Sequence, residues 1–172
     1  MIKIIILALS LFAAYVNAKV LHVDNTGFII QNEIETPHSS KKVWYALIND
    51  VDEWWPKDHS WWKGTFTISS SAGGCFCEKK GKQQAQHMQI TFVDPMKMLR
   101  MAGGLGPLQG MGVYGALNWK FEKTESGTKV TLSYYAQGYR PDGFEDLAPI
   151  VAKVQNQQLN ALKAFVEKNS EK

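Results

Sequence analysis

Residues 112–137 read GVYGALNWKFEKTESGTKVTLSYYAQ. From Gly112 to Glu122, Val113, Gly115, Leu117, Trp119 and Phe121 fall on one side of an alternation, and Tyr114, Ala116, Asn118, Lys120 and Glu122 on the other. Successive side chains of a strand point to opposite faces, so this pattern predicts a strand with one apolar face. Ser126-Gly127 turns the chain back into Thr128–Gln137, where Val130, Leu132, Tyr134 and Ala136 take the inner side. An antiparallel hairpin of this kind needs a cover for its apolar face. The cover follows in sequence. Pro141-Asp142-Gly143 makes a turn, and from about Asp146 to Lys168 the period becomes helical, with Leu147, Val151, Val154, Leu162 and Phe165 on one stripe and Gln158 inside it.

The period-two rhythm reaches back to Thr65. Phe66 and Ile68 alternate with polar neighbours, Ala72-Gly73-Gly74 turns into Cys75–Lys79, and Lys80-Gly81-Lys82 makes the next turn. His87–Asp94 places Met88, Ile90 and Phe92 on one face and His87 on the other, outward one; Asp94-Pro95 then breaks the run before Met98–Ala102. Nearer the N-terminus, after a polar start, Gly27–Glu35 alternates as a half-buried strand. Thr36-Pro37 is read as the N-cap and first position of a helix striped by Val43, Trp44, Leu47 and Ile48, followed by a short second helix over Val51–Trp55 that Pro56 ends. One strand, two short helices, an antiparallel run of about six strands and a long C-terminal helix predict an α+β domain. In it a curved sheet of six to seven strands wraps the helix, leaving an internal volume.

Residues 1–18 read as a signal peptide. Lys3 supplies the positive end, Ile4–Ala14 the apolar run and Val16-Asn17-Ala18 the cleavage site, which leaves residues 19–172 as one mature domain, exported to the periplasm or secreted. The alternative is an uncleaved anchor, although the run is shorter than the roughly 20 residues a span needs. No stable membrane span is expected after cleavage. The chain carries 19 basic and 16 acidic residues, and the Lys and Arg are scattered, which excludes a basic stripe for nucleic acid. Cys75 and Cys77 lie two apart in a strand, where ideal geometry sets their Cα atoms about 6.5 to 7 Å apart with parallel side chains; two reduced, buried thiols are expected.

Several short patterns, taken in order, resemble the START-like polyketide cyclase/dehydrase and lipid-transport (SRPBCC) superfamily, whose helix-grip fold is shared with the birch-pollen allergen. They are Pro37 with Val43-Trp44 after an Ile/Glu strand, Trp54-Trp55-Pro56, and Gly73-Gly74-x-Phe76-x-Glu78. Pro95 with Leu99-Arg100, Gly106-Pro107-Leu108-Gln109, and Gln158-Leu159-x2-Leu162 complete the set. The resemblance covers essentially the whole mature chain. It implies a small hydrophobic or amphipathic molecule, a lipid or polyketide-like compound, bound between sheet and C-terminal helix. Some members catalyse cyclisation or dehydration there, and others, resembling activators of the Hsp90 ATPase, bind a protein partner. The fold alone does not name a reaction.

The expected ligand contacts begin with Trp54, Trp55, Trp61 and Trp62, an aromatic wall whose plainer role is to anchor the short helix in the core. Phe76, Met88, Phe92, Trp119 and Tyr134 extend it from the strands, and Val154 and Gln158 from the last helix. The glycine-rich segment 103–112 lacks the Lys-Ser/Thr of a phosphate loop and is read as an apolar gate, with Leu105, Leu108 and Met111 as its contacts. Asp58 and His59 are the candidate acid/base pair and Glu78 a third candidate, set against solvated turns and a surface ion pair with Arg100. Cys75, Cys77 and His59 are too few for a metal site, and neither metal nor cofactor is expected. Three functions follow: a ligand-binding protein, a cyclase/dehydrase-type enzyme in the same cavity, or an envelope protein-interaction module. The pattern leaves the oligomeric state open.

Overall fold

The structure is a computed structural model that describes residues 18–169; the signal-peptide reading therefore falls outside the described residues, apart from Ala18. Eight antiparallel strands form one sheet in the order β1-β2-β8-β7-β6-β5-β4-β3. They are β1 (Lys19–Val23), β2 (Gly27–Thr36), β3 (Thr65–Ile68), β4 (Cys75–Lys80), β5 (Gln83–Asp94), β6 (Met98–Gly103), β7 (Tyr114–Lys123) and β8 (Thr128–Gln137). The helices are α1 (Ser40–Asn49), α2 (Val51–Trp54), α3 (Pro107–Gly110) and α4 (Leu147–Lys168), with a single 3-10 turn at Lys57–His59. This is the α+β helix-grip arrangement, with α4 laid along the concave face of the sheet and against β2. β1, whose side chains are mostly exposed, adds an edge strand to the hairpin core.

The hairpin that predicts the fold carries much of the core. Leu117, Trp119 and Phe121 of β7 and Val130, Leu132 and Tyr134 of β8 are buried, and α4 returns Val151, Leu159, Leu162 and Val166 to them. Trp44 packs edge-on against Phe121, and Trp54 against Trp119 at 6.3 Å. Each large side chain so buried is worth about 1.5–3 kcal/mol, so this cluster dominates the stability. Asn32 ties α4 to the sheet by donating from Nδ2 to the Ala152 carbonyl at 3.2 Å.

Four local readings of the sequence are corrected. Thr36 does not cap α1: it ends β2, paired with Thr128, and the cap is Ser39, whose hydroxyl accepts from the Lys42 amide. His87 is buried, because β5 bulges against β4. Phe76 pairs with Met88 and Cys77 with Gln86, so His87 is an extra residue and turns inward beside Met88. A second bulge, with Ile90 facing Met101 and Phe92 facing Arg100, throws Phe92 onto the outer face, under the Arg100 guanidinium at 5.6 Å. Cys75 and Cys77 are joined by a disulfide and are half-buried; beside the first bulge their Cα atoms come to 5.5 Å, within bridging range.

Candidate functional site

Pro56 ends α2, and the chain then crosses from the core to the edge of the sheet as the segment Pro56–Gly64. A buried carboxylate organises it. Glu78, on β4, accepts at Oε1 from the amides of Trp62 (3.0 Å) and Gly64 (2.9 Å), and at Oε2 from the amide of Trp61 (3.0 Å) and from His87 Nε2 (3.2 Å). A Cβ at Gly64 would lie 3.0 Å from that carboxylate and 2.7 Å from the Lys79 carbonyl, so the close approach requires glycine. Burial pushes the Glu78 carboxyl up, but the three amides and His87 outweigh it and leave the group below the ordinary carboxylate range, ionised. For His87, burial is the larger effect and lowers its pKa despite the carboxylate, so the ring is neutral. It packs against both Phe66 (5.6 Å) and Phe76 (5.3 Å), which also stack on each other at 5.6 Å.

Asp52 fixes the other end of the segment. Burial raises its pKa, but hydrogen bonds from Lys57 and the Phe66 amide, the latter 2.7 Å long, outweigh this and lower it. Trp55 Nε1 donates to the His59 carbonyl at 3.1 Å, which closes the turn between them.

The segment 103–112 is a turn of helix rather than an open loop. Gly106, at φ 57°, reverses the chain into Pro107, and three bonds tie the segment down. The Tyr134 hydroxyl donates to the Gly103 carbonyl at 2.8 Å, Gln109 Nε2 to the Gln86 carbonyl at 2.9 Å, and the Val113 amide to the Leu108 carbonyl at 2.9 Å. Burial pushes the Tyr134 phenol up to about 12.

Between these two segments and α4 lies a cavity of about 290 Å³. Trp55, Asp58, His59, Ser60 and Trp61 border it on one side, and Leu105, Gly106, Pro107, Leu108 and Met111 on another. The α4 side consists of Leu147, Ile150, Val151, Val154, Gln155 and Gln158, and His87 completes the wall. The lining is mainly apolar, and Trp61, Met111 and Ile150 are also exposed to solvent, so its rim is apolar too. His59 Nδ1 lies 3.5 Å from Gln158 Nε2 across the space between the 3-10 turn and α4.

The structure thus brings Asp58, His59, Trp55, Trp61, Leu105, Leu108, Val154 and Gln158 together around one space, with Met111 at its rim. Trp54 and Trp119 instead fill the core, where Trp54 Nε1 donates to the Ala46 carbonyl at 3.0 Å. Phe76 stands one layer behind the wall, 4.8 Å from the Trp55 ring, and Met88 is buried outside the lining. Tyr134 does not border the cavity and instead holds segment 103–112 through its bond to the Gly103 carbonyl. Trp62 is half-buried outside the cavity, its carbonyl taking a bond from Lys80 Nζ at 2.7 Å. Phe92 lies on the opposite face of the sheet, and Glu78 is wholly occupied by the segment it supports. Arg100 does not pair with Glu78; its Nε donates to Asn118 Oδ1 at 2.6 Å.

Ser60, His87 and Gln155 are lining residues the sequence reading missed. Gln155 left a signal: it stands between Val151 and Leu159 on the buried stripe of α4, a position that packing alone would give to an apolar side chain. Among the described residues no three His, Cys, Asp or Glu side chains are grouped as a metal site requires, and no helix is long and apolar enough to cross a membrane.

Residues 37–167 match the family model of the Activator of Hsp90 ATPase homolog 1-like proteins, which spans both short helices, most of the sheet and nearly all of α4. The chain belongs to this family, and with it to the START-like SRPBCC superfamily. Solved structures share the fold. A Mesorhizobium loti protein is similar at a TM-score of 0.62 and 16% identity over 83% of this chain and 98% of that one. CalU16 from Micromonospora echinospora is similar at 0.61 and 14%, over 88% and 84%, and an Arthrobacter aurescens protein at 0.60 and 16%, over 88% and 94%. At these identities the likeness extends to the fold alone. Comparison with curated protein sequences gives no match.

Proposed function

We propose that the protein binds a small hydrophobic or amphipathic molecule in the cavity bounded by Trp55, Leu108, Val151 and Val154. The observation that carries this is the apolar lining, continued onto a solvent-exposed rim of Trp61, Met111 and Ile150. Pockets for small ligands are concave, mainly apolar and furnished with a few polar groups, and a volume of about 290 Å³ suits a compact one. A protein-interaction module would pair an exposed apolar patch with a solid interior, and it is the cavity behind the apolar rim that favours a small molecule. Native mass spectrometry and solvent extraction of the protein from its own host test this: a recurrent apolar compound of constant mass supports it, and repeated recovery without ligand counts against it.

Residues 19–172 serve as the single ligand-binding domain of an exported protein, with residues 1–18 as its signal. The disulfide between Cys75 and Cys77 supports that address, since such bonds persist in oxidising compartments. N-terminal sequencing of the mature protein is the check; a chain beginning at Met1 would oppose it.

One observation favours a second reading, a cyclase/dehydrase-type enzyme: Asp58 and His59 both border the cavity. Glu78 has no part in it, because its carboxylate is spent on backbone amides. If His59→Ala leaves ligand recovery intact and no conversion of the recovered compound is found in the wild type, this reading fails.

A further inference from the structure

Gln155 is 1% exposed, borders the cavity, and among the described residues finds no hydrogen-bond partner for either Nε2 or Oε1. Every buried polar atom left in this state costs about 1–3 kcal/mol, and on α4 the same position filled by leucine would continue the stripe of Val151 and Leu159. Folding does not explain the amide, so its use lies in what enters the cavity. His87 points the same way. Its Nε2 is held by Glu78, which leaves Nδ1 of the neutral ring as a second acceptor on the same wall. Among the described residues no lysine or arginine borders the cavity, and its one carboxylate, that of Asp58, is itself exposed to solvent. An anionic head group would lose its hydration there and find no lysine or arginine to pair with.

We infer that the ligand is an uncharged, hydroxyl-bearing apolar molecule, a phenol or alcohol, whose hydroxyl is read by the carboxamide of Gln155. The hydroxyl oxygen accepts from Nε2, and its proton is given to Oε1 or to His87 Nδ1. A site built to hydrogen-bond a hydroxyl rejects the analogue that lacks it, because its own polar atoms are then left unpaired. The inference rests on the proposed ligand-binding role of the cavity and adds the chemical class.

The test uses three probes built on one ring system, 2-naphthol, naphthalene and 2-naphthoate, titrated calorimetrically into the full mature protein. The wild type is expected to bind 2-naphthol at least about tenfold more tightly than naphthalene, and 2-naphthoate more weakly than either. Gln155→Leu is expected to abolish the preference while keeping naphthalene binding, and to melt no lower than the wild type, since it removes two unpaired atoms. Gln155→Met is a second variant in case leucine does not pack. Equal affinities of the wild type for 2-naphthol and naphthalene, or a preference that survives both substitutions, would overturn the inference and leave the cavity reading intact. Binding of none of the three probes would overturn both.

Discussion

Trp54 and Trp55 are adjacent in sequence, equally buried, and belong to different parts of the molecule. Trp54 turns toward Trp119 and the closed end of the sheet, where aromatic and aliphatic side chains pack together in the core. Trp55 turns toward Phe66, Phe76 and the end where β4 and β5 meet, and there the fold buries a carboxylate, an imidazole and an unpaired carboxamide beside a cavity. The closed end is built for stability. The other end carries buried polar groups at and behind the wall of a cavity, where the proposed ligand-binding role would use them.

The sharpest way to break this contrast is at the closed end. Trp119→Ala is expected to lose about 3–5 kcal/mol of stability in a denaturant titration, because no neighbour can collapse into the space. A loss under about 1 kcal/mol would mean that this end is not the closed one. At the open end Glu78→Ala should cost less, about 3 kcal/mol, since the amides of Trp61, Trp62 and Gly64 are partly rescued by water. It should also weaken binding of an apolar probe by freeing the Trp61 rim, which Trp119→Ala studied well below its melting point should not do to the same degree.

Acid should act on the open end through two groups. Glu78 has its folded pKa below the ordinary 4.5, so the stability it confers is present above that value and lost as pH falls through the lowered one. His87 is neutral in the fold below its ordinary 6.5, so the unfolded chain takes up a proton first and stability declines as pH drops below 6.5. Melting temperature should therefore fall from about pH 6.5 downward, and His87→Gln should flatten the first part of that fall. An unchanged slope in that variant would place the titration elsewhere. The smallest effect belongs to Phe92→Ala on the outer face: under about 1 kcal/mol, limited to its stacking with Arg100, and no change in probe binding.

The same contrast explains what could be read in advance. The α+β fold was legible because β7, β8 and α4 keep strict periods, so Leu117, Trp119, Leu132 and Leu162 declare their faces. β5 does not keep one. Its bulges at His87 and Thr91 shift the inward set twice, which hid His87 and misplaced Phe92, and the first lies beside the Cys75–Cys77 bridge that ideal strand geometry did not predict. Bulges leave no mark in a pattern of apolar and polar residues. Half of the expected aromatic wall is at the cavity, Trp55 and Trp61, because a neighbouring pair on a turn cannot face one way. The role of Glu78 was out of reach, since it depends on backbone amides from a segment about fifteen residues away in the chain.

The most direct test of the cavity's role is titration with N-phenyl-1-naphthylamine, an uncharged fluorescent probe, into the wild type and into Val151→Trp, which fills the space from α4. Saturable one-to-one binding with blue-shifted emission in the wild type is predicted, weakened at least about tenfold in a Val151→Trp protein that melts normally. Equal binding by the two proteins, or none by the wild type, would contradict it.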